Sequence, residues 1–140
     1  MRNKQLTLPS PTRNWFAVDR SIWDYDLFDD GEPFSRLLAF LWLISEAAWK
    51  PRAFRVAGQI INLKRGQLAH SIRYIADQWH WPKSSVHRFL ECLKNGTLID
   101  TEIRTGITVI TICNYNNYQS PPQDDGTPNG TPPGTDLGQQ

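Results

Sequence analysis

A pair of short amphipathic helices separated by a tight turn, followed directly by two β-branched runs, predicts an α+β chain of the winged helix-turn-helix class. In that arrangement three helices form the core and a C-terminal β-hairpin forms the wing. The charge distribution points the same way. Net charge is only +1, yet residues 50–95 hold nine Lys and Arg against Asp77 and Glu91, a local balance of +7 between two acidic stretches. A basic block that coincides with the paired helices is the asymmetry of a polyanion-binding surface. A solvated basic face without a partner is the plain alternative.

With 140 residues, 39% hydrophobic and 21% charged, the chain has room for one packed domain. No apolar run approaches the roughly 18 residues that a membrane span needs, and no secretion signal is read at the N-terminus. Residues 1–13 are expected to be a flexible N-terminus and residues 14–119 the domain. Residues 120–140 carry five prolines, four glycines and one hydrophobic residue, Leu137, and are expected to be a disordered tail.

Taken in order, the aromatic stretch 15–23 is expected to pack on the core as an extended arm or short strand, and 24–32 is turn-rich. Pro33 suits the first turn of a helix running to about residue 48, with Leu37, Leu38, Leu41, Trp42 and Ile44 as its apolar stripe. Trp49-Lys50-Pro51 ends it, because the residue before proline is driven out of the helical region. Residues 52–58 read as a basic connection, 59–63 as a short strand and 67–70 as another extended segment after a turn at Gly66. Ser71 is a helix N-cap, and Ile72, Ile75, Ala76 and Trp79 follow helical spacing. Trp81-Pro82 breaks that helix, and Pro82 opens a second in which Val86, Phe89, Leu90 and Leu93 repeat the pattern. Asn95-Gly96 supplies a left-handed close. Strands follow at 98–104 and 107–113 around a Thr105-Gly106 turn.

If Val86, Phe89, Leu90 and Leu93 face the core, Lys83, Ser84, Ser85, His87, Arg88, Glu91 and Lys94 are left outside. Cations and hydroxyls near a helix N-terminus suit phosphates and base edges. The candidate DNA-binding residues are therefore Lys83, Ser84, Ser85, His87, Arg88 and Lys94, with Arg73, Lys64 and Arg65 from the basic block and Arg104 as the one cation of the wing. Trp79, Trp81, Phe89 and Tyr74 read as packing residues rather than base-stacking platforms. No phosphate-binding glycine loop, nucleophile elbow or His-x-x-x-His spacing is present, which argues against an enzyme. Cys92 and Cys113 form neither a disulfide framework nor a metal site, and Cys92 is expected to be buried.

The stretch Leu63-Lys64-Arg65-Gly66-Gln67-Leu68, running into Ser71-Ile72-Arg73-Tyr74-Ile75-Ala76, resembles a signature of phage replication initiators. These are the replisome organisers with a DnaD-like N-terminal winged helix. The close Thr108-Val109-Ile110-Thr111-Ile112-Cys113-Asn114-Tyr115-Asn116-Asn117-Tyr118-Gln119 is similar to that family's ending and is the most specific part of the likeness. Trp15-Phe16 through Arg20-Ser21-Ile22 resembles its opening. The resemblance covers residues 14–119 and implies a DNA-facing helix at 82–94, with Pro82 where the family has a polar residue. The polar tail is similar to the family's tether to a C-terminal module. The sequence ends at residue 140 before such a module, so DNA binding and not helicase-loader recruitment is carried over.

The expected function is sequence-specific binding of double-stranded DNA by a protein of phage or mobile-element type, in replication initiation or transcriptional regulation. A homodimer or higher oligomer on DNA and a replication or transcription protein are the expected partners. Neither cofactor, metal nor membrane is expected, and the expected location is the cytoplasm, in association with the nucleoid. The alternative is a winged-helix protein–protein interaction module without DNA binding.

Overall fold

The computed structural model describes residues 16–119. The expectations for the N-terminal stretch 1–13, for Trp15 and for the tail 120–140 lie outside the described residues. A 3-10 turn, Arg20–Asp24, stands at the end of the stretch expected to be an extended arm, and a second, Asp26–Phe28, lies in the stretch read as turn-rich. Asp19 caps the first, its Oδ1 accepting the Ser21 N–H at 2.8 Å. That bond is the main reason its carboxyl is held below the usual value. Arg20 ties this segment to the rest of the protein, donating from Nε to the Ser45 carbonyl (2.8 Å) and from Nη2 to the Tyr115 hydroxyl (3.3 Å).

Helix α1 (Arg36–Glu46) begins at Ser35, whose Oγ accepts the Leu38 N–H at 3.1 Å. A capping hydroxyl at Ser35 sets the start, so Pro33 lies ahead of the helix rather than in its first turn. The buried edge of α1 is Ala39, Trp42, Leu43 and Ile44. Leu37, expected inside, is 70% exposed, and Leu38 and Leu41 are exposed with it. The helix is rotated so that its small Ala39 approaches the core together with Leu43, leaving Leu37, Leu38 and Leu41 outside.

Strand β1 (Arg52–Val56) pairs antiparallel with β2 (Gln59–Leu63) where a connection was expected before β2. Ala57 and Gly58 both take positive φ, the two-residue turn that matches the twist of a hairpin. Phe54 and Val56 turn inward while Arg55 points to solvent. Strand β3 (Gln67–His70) leads into α2 (Ile72–Trp79), α3 (Lys83–Asn95), β4 (Ile99–Arg104) and β5 (Ile107–Ile112). The second sheet has the order β3-β5-β4, all antiparallel.

This overturns the expected fold class. Three helices and five antiparallel strands in two sheets replace a three-helix core with a C-terminal wing. The hairpin after α3 does not project. Its strand β5 is central, with Ile110 and Ile112 packed on the helices and Ile107 and Val109 packed on the β1–β2 hairpin. Side chains alternate across a strand, so apolar residues at both odd and even positions, Ile107 and Val109 against Ile110 and Ile112, are what a strand covered on both faces requires. The fold is therefore layered as helices, three-stranded sheet and two-stranded sheet. No described helix is long and apolar enough to cross a membrane.

The loop into β3 holds a compact clasp. Gly66, at φ +87°, donates its N–H to the Ala48 carbonyl at 2.7 Å and accepts the Ile112 N–H at 2.8 Å. A Cβ at this position would lie 3.2 Å from Cβ of Tyr115, so close approach and backbone conformation both favour glycine. Arg65 lies over the Tyr115 ring (4.7 Å) and donates from Nε and Nη2 to Asn116 Oδ1 (3.0 and 2.8 Å). Residues of the 63–76 and 108–119 stretches thus meet in space.

Candidate nucleic-acid interface

Helix α2 is capped as expected, with Ser71 Oγ accepting the Tyr74 N–H at 3.1 Å. Ile75, Ala76 and Trp79 are buried and Ile72 is partly so. The helix ends at His80, which takes the left-handed conformation (φ 57°, ψ 44°) and turns the chain toward α3. Pro82 is the residue before α3 rather than its first member, and no side chain caps this end. At the other end Gly96 has φ −82°, and the left-handed residue is Thr97 at φ 60°. The expected close at Asn95-Gly96 is thus displaced by one position.

Along α3 the inner four positions, Val86, Phe89, Leu90 and Leu93, are all buried. Lys83, Ser84, His87, Arg88, Glu91 and Lys94 are exposed, and Ser85 is half-buried. Cys92 is exposed as well, contrary to expectation. Flanking buried residues in sequence do not bury a helical residue, since each step rotates about 100°. Lys83, Ser84, Ser85, His87 and Arg88 share the first two turns, where Arg88 Nη2 reaches Ser85 Oγ at 3.4 Å. Lys94 stands in the last turn. Arg73 is exposed in the first turn of α2.

Of the remaining candidates, Arg104 and Arg65 are engaged elsewhere. Arg104 pairs with Glu102 at 2.8 and 3.3 Å, which lowers the Glu102 pKa and raises that of Arg104. Lys64 is exposed, and its charge also acts on Glu102. Arg65 is absorbed by the clasp: besides Asn116 it donates to the carbonyls of Trp49 and Gln119.

Sequence reasoning missed two residues, Arg36 and His80. Both line an open groove of about 350 Å³ between Pro33-Phe34, the α2–α3 turn and the start of α3. Arg36 belongs to an N-terminal third whose net charge is negative, so a charge count along the chain conceals it. The half-buried Trp81 also lines this groove while packing on Trp79 and Phe89. Tyr74, read as packing, is 42% exposed but stacks on His70 at 4.4 Å. Partial burial pushes its hydroxyl pKa up.

Compared with protein-family models, curated proteins and solved structures, the chain matches none.

Proposed function

We propose that this chain is a double-stranded DNA-binding protein, without catalytic chemistry of its own, that meets its site through the exposed side of α3. The observation that carries the reading is the division of that helix: four apolar side chains buried, and Lys83, Ser84, His87 and Arg88 exposed at its N-terminal end. Cations and hydroxyls on a helix held rigidly by its other side are suited to phosphate oxygens and base edges. His87 and Arg88 would touch bases, whereas Lys83 and Arg73 would hold the backbone. Action in replication initiation or transcriptional regulation of a phage or mobile element is supported by the sequence resemblance alone.

Duplex affinity measured across a range of salt concentrations tests the reading. Each neutralised phosphate contributes about 0.9 to the slope of log K against log salt, so a slope of several units is expected. A slope near zero overturns it.

A protein-interaction module is the second reading. It is favoured by Leu37 at 70% exposure and by Leu27 and Phe28 at 82% and 58%, apolar surface suited to a second copy or to a replication or transcription protein. On that reading partner binding survives high salt.

A further inference from the structure

The groove at the start of α3 is built before any ligand arrives. Phe34 donates its N–H to the Trp79 carbonyl (2.9 Å) and accepts the Trp81 Nε1–H on its own carbonyl (2.8 Å). These bonds fasten the segment ahead of α1 to the α2–α3 turn.

Its lining joins aromatic rings to positive charge. Phe34, which stacks on Trp23 at 5.8 Å, and Trp81 form apolar walls above the buried Phe89, while Arg36, Arg88 and His80 supply the polar groups, and among the described residues no carboxylate lines the groove. Arg36 lies 5.7 Å from the Phe89 ring centroid. The ion pairs among the described residues are Glu46–His70 and Glu102–Arg104, so neither Arg36 nor Arg88 is neutralised by an acid there.

Arginines beside aromatic walls are the equipment that single strands require, because unstacked bases lie on rings while the backbone follows cations. Duplex DNA keeps its base faces stacked inside and cannot offer them. The volume of about 350 Å³ lies at the small end of ligand sites. We propose that the groove takes one unstacked nucleotide of a single strand, its base against Phe34 and Trp81 and its phosphate between Arg36 and Arg88. This rests on the nucleic-acid reading above and extends it from duplex to opened strand. Arg88 stands at the border of the two surfaces, so the test turns on Arg36 and Phe34.

The full chain is titrated with a fluorescent oligothymidylate of about ten nucleotides and, separately, with duplex. Arg36→Ala is expected to weaken oligothymidylate binding and to flatten its salt slope by about 0.7, the single-strand value for one phosphate. Phe34→Leu is expected to lower that affinity roughly 5- to 150-fold without changing the slope, as loss of one stacked base does. Melting curves establish that the variants fold, and Arg36→Gln, which removes the charge but keeps most of the side chain, should flatten the slope in the same way if Arg36→Ala does not fold. His87→Ala should weaken duplex binding and spare the oligothymidylate. No saturable oligothymidylate binding, or wild-type binding by folded Arg36 and Phe34 variants, overturns the proposal. So does saturation of the groove by an acidic aromatic peptide with no response to oligothymidylate, which would assign it to a protein partner. If duplex binding persists in those cases, the duplex reading stands alone. Absent duplex binding with Arg36-dependent oligothymidylate binding would remove the duplex reading and leave the groove.

Discussion

Arg65 and Arg88 belong to the same basic stretch of sequence, yet the structure uses them in opposite ways. Arg65 lies over Tyr115 and donates to Asn116 and to two carbonyls, closing the loop before β3 onto the end of the domain. Arg88 makes one long bond to a serine hydroxyl on its own helix and otherwise faces solvent. A guanidinium with five donors is an excellent clasp when acceptors surround it and an excellent anion ligand when they do not. Charge summed along a chain counts both alike. What a ligand meets is the charge left unengaged, which includes Lys83 and Arg88 at the start of α3 and Arg36 beside it as well as Arg55 and Arg73 elsewhere on the surface.

Substitutions separate the two roles. The largest effect should come from the support that both regions share. Phe89→Ala removes a buried ring beneath the exposed side of α3 and is expected to cost about 3–5 kcal/mol of stability, read by denaturant melting. Its loss of DNA binding should follow unfolding and disappear under conditions that restore the fold.

Next comes the clasp. Arg65→Ala strips several hydrogen bonds at once, and loss of a charged donor typically costs about 1.5–3 kcal/mol. Duplex affinity of the folded fraction should be unchanged. A drop in affinity without a drop in melting temperature would place Arg65 at the DNA instead.

The α3 side chains should show the reverse. Arg88→Ala and His87→Ala are exposed changes, expected to stay within about 0.5 kcal/mol in stability. Paired titrations on cognate and scrambled duplex should show cognate affinity falling by about 1–3 kcal/mol, with less change on the scrambled site. Lys83→Ala and Arg73→Ala should weaken both duplexes alike.

The smallest effect is electrostatic. Burial raises the Tyr115 pKa above its ordinary value, while Arg20 and Arg65 act to lower it. A raised folded-state pKa means that the contribution to stability is whole below the unfolded value, near 10, and is lost as pH climbs through the folded value. Alkaline melting should therefore show declining stability above about pH 10. In Arg65→Ala the ultraviolet titration of Tyr115 should move further upward, because a lowering charge has gone.

Much of the helical architecture was legible in the sequence. The spacing of Ile75, Ala76 and Trp79, and of Val86, Phe89, Leu90 and Leu93, reports helix and buried side together, because 3.6 residues per turn leaves few other placements. Ser71 was readable for the same local reason, a hydroxyl ahead of an apolar pattern. The sheets were not. Arg52 and Arg55 masked β1, although alternation of Phe54 with Val56 and the Ala57-Gly58 turn carry the hairpin signal. Ile107–Ile112 was read as a wing strand when its apolar residues on both faces, Ile107 and Val109 on one and Ile110 and Ile112 on the other, indicate cover on both. In α1 so many positions are apolar that periodicity does not select a side, and Leu37 and Leu41 ended outside. Of the candidate site, the exposed side of α3 follows from its helical period. Arg36 and His80 join it only through tertiary packing, and the loss of Arg65 to the clasp depends on residues about fifty positions away.

The most direct test of the central claim is the salt dependence of duplex affinity, measured side by side for the wild-type chain, Lys83→Ala and Arg65→Ala. The account predicts a slope of several units in the wild type, shallower by about 0.9 in Lys83→Ala and unchanged in folded Arg65→Ala. A wild-type slope near zero, or a slope that falls with Arg65 and not with Lys83, would contradict it.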